Sequence, residues 1–302
     1  MKKLIIAGAN GFLARYLTRY FAERGWSVVG LARHQQGMDE QCRYVNWDGE
    51  NLGGWVEEME GFDVLVNLAG RTVNCRYNDS NKKGILDSRV NSTEILGAAI
   101  APCHQLPKLW INSSTATIYR HAEDCPQSDS GEIGEGFSVG IAKAWEEAFF
   151  SAKTPDSVRK VAIRTSMVLA DEPGTVYSYL ANLARYGLGG KVGSGKQMVS
   201  WIHIQDFCRA IDWLIEHDEI SGPINVTAPD PVCNAELMKR MRKHVGMPIG
   251  LPATKWMAEI GAFLLRTETE LILKSRWVVP TKLLEKGFVF TNPEMKPWEW
   301  DK

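Results

Sequence analysis

Residues 8–14 carry the residue types that a dinucleotide phosphate site needs, in the order Gly-Ala-Asn-Gly-Phe-Leu-Ala, directly after an apolar run. Gly8 permits a tight turn, and Gly11 lets backbone N–H groups approach a pyrophosphate closely. Ala14 is small enough for the following helix to pack on a sheet, and the positive end of that helix favours phosphate charge. A glycine turn alone is weak evidence, but the strand–turn–helix context favours binding. The predicted contacts are Gly8, Asn10, Gly11, Phe12 and Leu13.

The end of the second predicted strand indicates which dinucleotide the site prefers. An NAD site usually has an acidic residue there, which binds both ribose hydroxyls, whereas an arginine matches the 2′-phosphate of NADP. This chain has Arg33 followed by His34, and the first acidic residue after that strand is Asp39. A solvent-exposed arginine at a strand end is the competing explanation. We expect NADP(H) to bind in preference to NAD(H), with Arg33 at the 2′-phosphate.

Several further segments resemble the extended short-chain dehydrogenase/reductase superfamily, in the same order along the chain. The superfamily's glycine motif is matched except at Ala14, residues 67–70 match its Asn-x-Ala-Gly strand end, and residues 91–93 resemble its Asn-x-x-Thr helix. Residues 113–119 resemble the strand that carries the catalytic Ser or Thr. The resemblance implies these roles: Asp48 at the adenine, Leu68, Ala69, Gly70 and Ser113 beside the cofactor, and Thr115 in catalysis.

A narrower resemblance covers nearly the whole chain, through segments such as residues 87–89, 200–206 and 225–229. These segments are similar to those of the atypical "epimerase family" proteins, which end in a C-terminal domain of unknown function. Members are often labelled NAD-dependent epimerase/dehydratase or cell-division inhibitor. The resemblance implies a Rossmann-type fold with a nucleotide cofactor and leaves the substrate open.

The superfamily's catalytic Tyr-x-x-x-Lys pair is missing from this chain. In that pair the lysine ammonium lowers the pKa of the tyrosine, so that the phenol exchanges a proton as hydride moves. Counting on from Thr115 puts Phe137 and Ile141 at the two positions, and neither can exchange a proton. We expect both to lie on a helix that faces the nicotinamide. Thr115 and Tyr119 are the candidate substitutes, although a phenol that covers apolar surface is an equal alternative for Tyr119.

Other polar residues have weaker claims to a functional role. For Arg89 and Arg164, structural ion pairs compete evenly with ligand contact. His203 is expected to be a packed histidine with a satisfied hydrogen bond. Lys196 lies in a glycine-rich stretch, where a solvated lysine is the simpler expectation.

Short apolar runs that alternate with helical segments predict the fold that positions these residues. A parallel sheet is covered on both faces, so its strands read as continuous apolar runs. Strands are expected at residues 4–7, 28–32, 64–68, 109–113 and 161–164, and helices at 12–23, 95–100 and 142–150. The pattern predicts an α/β fold: a Rossmann-type doubly wound parallel sheet with a smaller C-terminal α/β lobe.

The residue composition of the sequence changes after about residue 170. Five glycines within residues 187–195 predict a loop over residues 186–196. Residues 235–245 and 256–265 are typical of helices in a smaller lobe. We therefore predict an NAD(P)-binding Rossmann domain at 1–172, with return segments at about 200–228, and a substrate lobe at 173–302.

Composition excludes several classes of partner. In 302 residues, 35 Lys and Arg balance 36 Asp and Glu for a net charge of −1, so there is no basic excess for nucleic acid. No apolar run approaches the roughly 20 residues of a membrane helix. The opening apolar run ends at Ala9, which is too short for a signal peptide. The six scattered cysteines lack metal-ligand spacing, so we expect reduced thiols, no bound metal and a cytoplasmic location.

These observations predict an NADP(H)-binding oxidoreductase or epimerase-like enzyme of the extended short-chain dehydrogenase type. Its substrate would be an unidentified small molecule in a cleft between the lobes. The alternative is a non-catalytic protein that binds NADPH and engages a partner, for example in cell division. Missing catalytic residues favour the alternative, whereas the second lobe and the glycine loop favour a small-molecule pocket. Whether the chain forms a homodimer stays open.

Overall fold

The computed structural model describes residues 1–254, 256–257 and 273–296. In this part of the chain the strands are β1 (Lys3–Ala7), β2 (Ser27–Ala32), β3 (Arg43–Asn46), β4 (Val64–Asn67), β5 (Leu109–Thr115), β6 (Arg159–Thr165), β7 (Met167–Leu169), β8 (Met198–Val199), β9 (Trp201–His203), β10 (Gly222–Val226) and β11 (Val232–Cys233). The helices are α1 (Phe12–Ala22), α2 (Asp79–Ile100), α3 (Phe137–Ser151), α4 (Val176–Arg185), α5 (Ile204–Glu216), α6 (Asn234–His244) and α7 (Thr281–Glu285), with 3-10 helices at Gly54–Met59 and Ala116–Ile118.

Seven strands form one parallel sheet in the order β10-β6-β5-β4-β1-β2-β3. The chain runs outwards from β1 to β3, returns to β4 on the other side of β1, and continues to the opposite edge. The carboxyl ends of β1 and β4 therefore flank the point where the strand order reverses, which is where doubly wound sheets bind ligands. The sheet confirms the predicted Rossmann-type fold.

The two faces of the sheet carry separate apolar cores. Side chains alternate between faces along a strand, so Leu4 and Ile6 pack with α1 and α5, while Ile5 and Ala7 pack with α2 and α3. These four of the five β1 residues are fully buried. Burial on both faces explains why residues 4–7 of β1 are all apolar, rather than apolar only at alternate positions.

Two helices begin earlier than the sequence pattern indicates. The helix expected at residues 95–100 is the end of α2, which starts at Asp79, where the Asn78 side chain accepts a hydrogen bond from the Asn81 N–H. The helix expected at 142–150 starts at Phe137, after Gly136 with a φ of 102°. Both starts are set by capping residues outside the apolar runs, and therefore the apolar pattern alone misses them.

The later part of the chain builds a small second layer on the sheet. β7 pairs with β9 in parallel, β8 pairs with β11 in antiparallel fashion, and α4 packs with α6 through residues such as Tyr177 and Met241. Residues 186–196 form the predicted loop, and the helix expected at 235–245 is α6. The helix expected at 256–265 falls almost wholly outside the described residues. β10 returns to the central sheet, and the domain boundary at residue 172 stays a prediction.

The described residues were compared with the requirements of a membrane span, a metal site and a disulfide bond. Among the described residues, no helix combines the length and the apolar character that crossing a membrane requires. The same residues contain no cluster of His, Cys, Asp and Glu side chains arranged to hold a metal ion. All six cysteines are free thiols.

Candidate functional site

The turn between β1 and α1 is fixed by Gly8. Its φ is +81°, which side-chain-bearing residues rarely adopt, and its N–H donates to the Leu31 carbonyl oxygen at 2.9 Å. A Cβ on Gly8 would lie 2.9 Å from the Ala69 Cα, so the end of β4 lies directly against the turn. Glycine is required here by both the backbone conformation and the close approach of β4.

Gly11 is glycine for a different reason. It precedes α1 with a φ of −76°, which any residue can adopt, and a Cβ there would meet only the Gly8 carbonyl oxygen, at 3.4 Å. The fold itself therefore does not require glycine at this position. A missing side chain at a helix N-terminus leaves room for a phosphate group to approach the backbone. Phe12 and Leu13 form the first turn of α1 and are half-buried against the core.

The segment after β2 folds back over the glycine turn. Asn10 Nδ2 lies 3.4 Å from His34 Nδ1, and Arg15 donates to the Gly37 carbonyl oxygen at 3.4 Å. Arg33 is exposed and forms no hydrogen bond or ion pair with the described residues. These contacts place the Arg33–His34 pair beside the turn, and its contact with a dinucleotide ribose stays a prediction.

The acidic residues near β2 and β3 are engaged elsewhere. Asp39 is buried, and its carboxylate accepts from Arg19 Nε at 2.6 Å and from the Gln41 N–H at 3.1 Å. Asp48 is exposed and accepts hydrogen bonds from the Asn51 side chain and from backbone N–H groups, which hold its pKa below the ordinary value. Its contact with adenine stays a prediction.

A buried hydrogen-bond network fixes the carboxyl end of β4. Asn67 Nδ2 donates to Asn112 Oδ1 at 2.7 Å, and Asn67 Oδ1 accepts from the Ala69 N–H at 3.0 Å. Thr93 Oγ1 lies within 3.3 Å of Asn67 Nδ2 and accepts from Trp145 Nε1 at 3.1 Å. The Asn67 side chain thus sets the path of residues 68–70, the segment expected beside the cofactor.

Alternation along β5 separates its three hydroxyl-bearing residues. Ser113 and Thr115 are half-buried, and Thr115 Oγ1 accepts from the Thr117 N–H at 3.1 Å, so it begins the following 3-10 helix. Ser114 points to the other face and donates to Glu146 at 2.6 Å. Thr115 keeps a hydroxyl proton that it can donate, and its catalytic role stays a prediction.

Tyr119 lies in a closed polar network. Its side chain is 1% exposed, and its hydroxyl donates to Asn225 Oδ1 at 2.7 Å and accepts from Arg164 Nη1 at 2.9 Å. Arg164 in turn binds Glu146 through two hydrogen bonds of 2.8 and 2.7 Å. Burial raises the pKa of Tyr119, although Arg164 opposes the shift. The placement favours a structural role, whereas the predicted catalytic role requires an open hydroxyl.

Phe137 and Ile141 lie on one face of α3, as their spacing predicts. Ile141 is buried, and the Phe137 ring packs against Tyr77 with a centroid distance of 4.8 Å. Lys82 Nζ lies 5.4 Å from the same ring. A tyrosine and a lysine therefore do reach this position, but Tyr77 comes from the segment between β4 and α2 and Lys82 from the first turn of α2. The sequence analysis missed both, and the only signal was their position just after the Asn-x-Ala-Gly strand end.

Two further residues take structural positions. The His203 side chain is buried, and its Nδ1 accepts from the Gln205 N–H at 3.2 Å at the start of α5. Lys196 is exposed in the glycine-rich loop. Both placements agree with the simpler expectation for each residue.

An open cavity of about 740 Å³ lies beside the start of α3. Its walls include Arg120 and His121 on one side, Gly136 at the helix start, and Lys274 from the C-terminal segment. The cavity reaches the residue next to Phe137. It has the size of a small-molecule pocket.

Comparison with known proteins identifies the family. Residues 4–227 match the model of the NAD dependent epimerase/dehydratase family, which is most of the chain. The chain belongs to the NAD dependent epimerase/dehydratase family. Residues 253–297 match a second model, a domain of unknown function named DUF1731, which confirms the narrower resemblance to epimerase family proteins.

Relatives within this family align along nearly their whole length. The epimerase family protein ML0860 of Mycobacterium leprae is 31% identical, with 94% of this chain and 90% of the relative covered. The epimerase family protein SDR39U1 of Bos taurus is 30% identical, with 97% of each covered. The crystal structure of human SDR39U1 (isoform 2) with NADPH has a TM-score of 0.86 and 26% identity, and covers 98% of this chain and 97% of the human one.

Proposed function

We propose that the protein binds NADPH at the carboxyl ends of β1, β2 and β4 and acts on a small molecule as an oxidoreductase or epimerase-type enzyme. The nicotinamide would supply hydride transfer. The glycine turn with Gly8 and Gly11 would hold the pyrophosphate, and Arg33 the 2′-phosphate. The human relative whose structure contains NADPH supports this proposal through its similar fold and full-length alignment.

The proposed preference for NADPH rests on the burial and hydrogen bonding of the Asp39 carboxylate. It is the first acidic residue after β2, and its carboxylate is buried and bonded to Arg19 at 2.6 Å. A carboxylate held in this way is not available to both ribose hydroxyls of NAD. Arg33, by contrast, is exposed and forms no ion pair with the described residues, so its guanidinium is available for a phosphate.

Parallel titrations with NADPH and NADH test the proposal. Binding is followed by the change in nicotinamide fluorescence at fixed ionic strength, and we expect NADPH to bind more tightly by at least about tenfold, the value of one charge-assisted contact. Equal affinity for the two dinucleotides contradicts the assignment of Arg33. Absence of binding by either contradicts the cofactor site itself.

A second candidate function is an NADPH-dependent regulatory protein without catalysis. It is supported by Phe137 and Ile141 on α3, the two positions expected for the proton-exchanging dyad, since neither side chain can exchange a proton. Turnover of NADPH with a panel of carbonyl compounds and nucleotide sugars supports the enzyme. A binding partner whose affinity depends on NADPH, with no turnover across the panel, supports the regulatory protein.

A further inference from the structure

Helix α4, in the second layer, has an apolar face that is exposed to solvent. Side chains that recur every three or four residues share one face of a helix. Along α4 and its C-terminal cap, the exposed side chains at this spacing are all large and apolar: Val176, Tyr179, Leu183 and Tyr186. Tyr186 is 81% exposed. The opposite face of α4 is buried in the core of the second layer. The helix is therefore apolar on two sides, of which one is packed.

The exposed apolar surface continues beyond the end of α4. The Leu188 N–H donates to the Leu183 carbonyl oxygen at 2.9 Å, and the Leu251 N–H donates to the Gly187 carbonyl oxygen at 2.8 Å. These bonds bring residues 249–251 to the end of the helix. The α4 face is defined here by seven exposed side chains: Val176, Tyr179, Leu183, Tyr186, Leu188, Ile249 and Leu251. Clustered exposed apolar side chains of this kind indicate an interaction surface.

The two stretches of chain that form the α4 face are basic. Residues 173–205 contain three Lys or Arg and residues 237–257 contain five, and neither stretch contains an Asp or a Glu. The nearest acidic residue before the second stretch is Glu236, which binds Arg240 Nε at 2.9 Å. Because the whole chain has a net charge of −1, positive charge is concentrated in these two stretches.

Packing brings basic residues from both stretches to the end of α4. The Ala253 N–H donates to the Lys191 carbonyl oxygen at 3.0 Å, two residues from Leu251. Arg242, in the last turn of α6, donates to the Gly189 carbonyl oxygen. Lys191 and the neighbouring Lys243 are both exposed, and neither forms an ion pair within the described part of the chain. Lysines without local counter-ions therefore border the α4 face.

An apolar surface with a basic border restricts the kind of partner. A second copy related by two-fold symmetry would place the same basic residues opposite each other. Nucleic acid would match the lysines, but its polar, wet interfaces do not match a cluster of large apolar side chains. An anionic bilayer matches both features, because its headgroups attract Lys and Arg while its interface accepts Leu, Ile and Tyr.

We propose that the α4 face docks the protein on an anionic membrane surface. The apolar side chains would enter the boundary between headgroups and acyl chains, and Lys191 and Lys243 would lie at the headgroups. A protein that lies on a bilayer in this way needs no membrane-spanning helix. The proposal is independent of the proposed cofactor site, which lies at the carboxyl ends of β1, β2 and β4 rather than on the second layer.

Co-sedimentation of the full chain with lipid vesicles tests the proposal. One set of vesicles is phosphatidylcholine alone, and the other contains about 30% phosphatidylserine. We expect the partition coefficient to be at least about tenfold higher for the anionic vesicles. Raising the KCl concentration from about 50 to about 300 mM should weaken that binding, because salt screens the lysines.

A double variant tests the apolar part of the α4 face. Tyr186→Ser combined with Leu188→Ser removes two exposed apolar side chains, and should lower the partition coefficient for anionic vesicles by at least about tenfold. Val289→Ser is the matched control, since Val289 is an exposed apolar residue outside the α4 face. It should bind the vesicles as the parent protein does.

A second double variant tests the basic border. Lys191→Gln combined with Lys243→Gln should lower the partition coefficient for anionic vesicles by about tenfold and leave the weak binding to phosphatidylcholine unchanged. Lys286→Gln is the matched control, because Lys286 is exposed and lies at the end of α7. All four changed side chains are exposed, so both double variants are expected to fold, and their Tm values check this. If one of them does not fold, the other decides.

Several outcomes overturn the proposal. They are equal binding to the two kinds of vesicle, binding to neither, or parent-like binding by the folded double variants. Sedimentation velocity without lipid tests a second copy as the occupant: a dimer of the parent protein that dissociates in Tyr186→Ser with Leu188→Ser assigns the α4 face to self-association instead. Tighter binding to duplex DNA than to anionic vesicles, at the same salt concentration, assigns the basic border to nucleic acid.

Discussion

The ring of Tyr77 packs edge-on against the ring of Phe137, with centroids 4.8 Å apart and planes at 65°. The contact joins the segment before α2 to the first residue of α3. Because α2 and α3 both cover the same face of the sheet, this pair helps to fix how the starts of the two helices pack.

The contribution of this aromatic pair can be measured with a double-mutant cycle. Tyr77→Ala and Phe137→Ala should each destabilise the protein, and the two changes should be non-additive by about 0.5–1.5 kcal/mol, as expected for an edge-to-face pair. Urea unfolding of the parent, the single variants and the double variant gives the coupling. Strict additivity would show that the two rings contribute independently.

Gly11→Val is expected to abolish dinucleotide binding and leave the fold intact. The backbone at residue 11 accepts a side chain, but the branched group occupies the space that a pyrophosphate needs. Gly8→Ala is the contrasting variant. It places an alanine at a positive φ and brings its Cβ too close to Ala69, so it should lower the free energy of unfolding by more than about 1 kcal/mol. NADPH titration and urea unfolding measure the two effects. Undiminished NADPH affinity in folded Gly11→Val would place the phosphates elsewhere.

Arg33→Ala is expected to reduce the preference for NADPH over NADH by about 1–3 kcal/mol, because a charge-assisted contact with the 2′-phosphate is lost. Affinity for NADH should change little. Arg43→Ala, on the neighbouring strand β3, is a suitable control because Arg43 is paired with Glu58. A preference that survives in Arg33→Ala would assign the 2′-phosphate to another group, with His34 the nearest alternative.

Glu146→Ala is expected to destabilise the protein by about 3–5 kcal/mol, since it leaves Arg164 as a buried charge without a counter-ion. The side chains of Arg164 and Glu146 are only 8% and 12% exposed. Glu236→Ala, which breaks a more exposed pair with Arg240 at the surface, should cost less than about 1 kcal/mol. Chemical denaturation compares the two variants. A small effect at Glu146 would mean that water reaches Arg164 readily.

Stability should fall as the pH rises from about 10 to about 12, in part through Tyr20. Burial, with a hydrogen bond to Asp212, raises the pKa of Tyr20 to about 12. In the unfolded chain the pKa of a tyrosine phenol is about 10. The stability that the neutral Tyr20 phenol contributes is therefore complete below that pH, and it is lost as the pH rises towards the pKa in the folded protein. Tyr20→Phe should flatten this decline in urea unfolding at about pH 9 and about pH 11. An identical decline in both proteins would exclude Tyr20 as its source.

The sequence predicts those structural features that depend only on residues close together in the chain. The apolar run of β1 and the spacing of Gly8 and Gly11 are local signals, and the sheet and the turn follow from them. The surroundings of Tyr119 were not predictable in the same way, because its hydroxyl partner Asn225 lies 106 residues further on. When its hydrogen-bond partner is not known, a tyrosine near the end of a strand is interpreted as a candidate catalytic acid.

The same limit applies to the site near α3. Phe137 and Ile141 lie on one helical face as predicted, because a four-residue step returns to that face, and their place at the missing dyad stays a prediction. The approach of Tyr77 and Lys82 to Phe137 depends on how α2 packs against α3, and no periodicity in the sequence encodes that distance.

The position of β10 determines when folding can be completed. β6 ends at Thr165, yet its outer edge stays unpaired until residues 222–226 are synthesised and add the last strand. The Asp129 carboxylate oxygens likewise accept hydrogen bonds from the N–H groups of Asn225 and Lys282, which are synthesised later. A chain that stops short of residue 222 therefore presents an open parallel edge, which is a site of aggregation. On the ribosome this edge is the surface that a chaperone would have to cover.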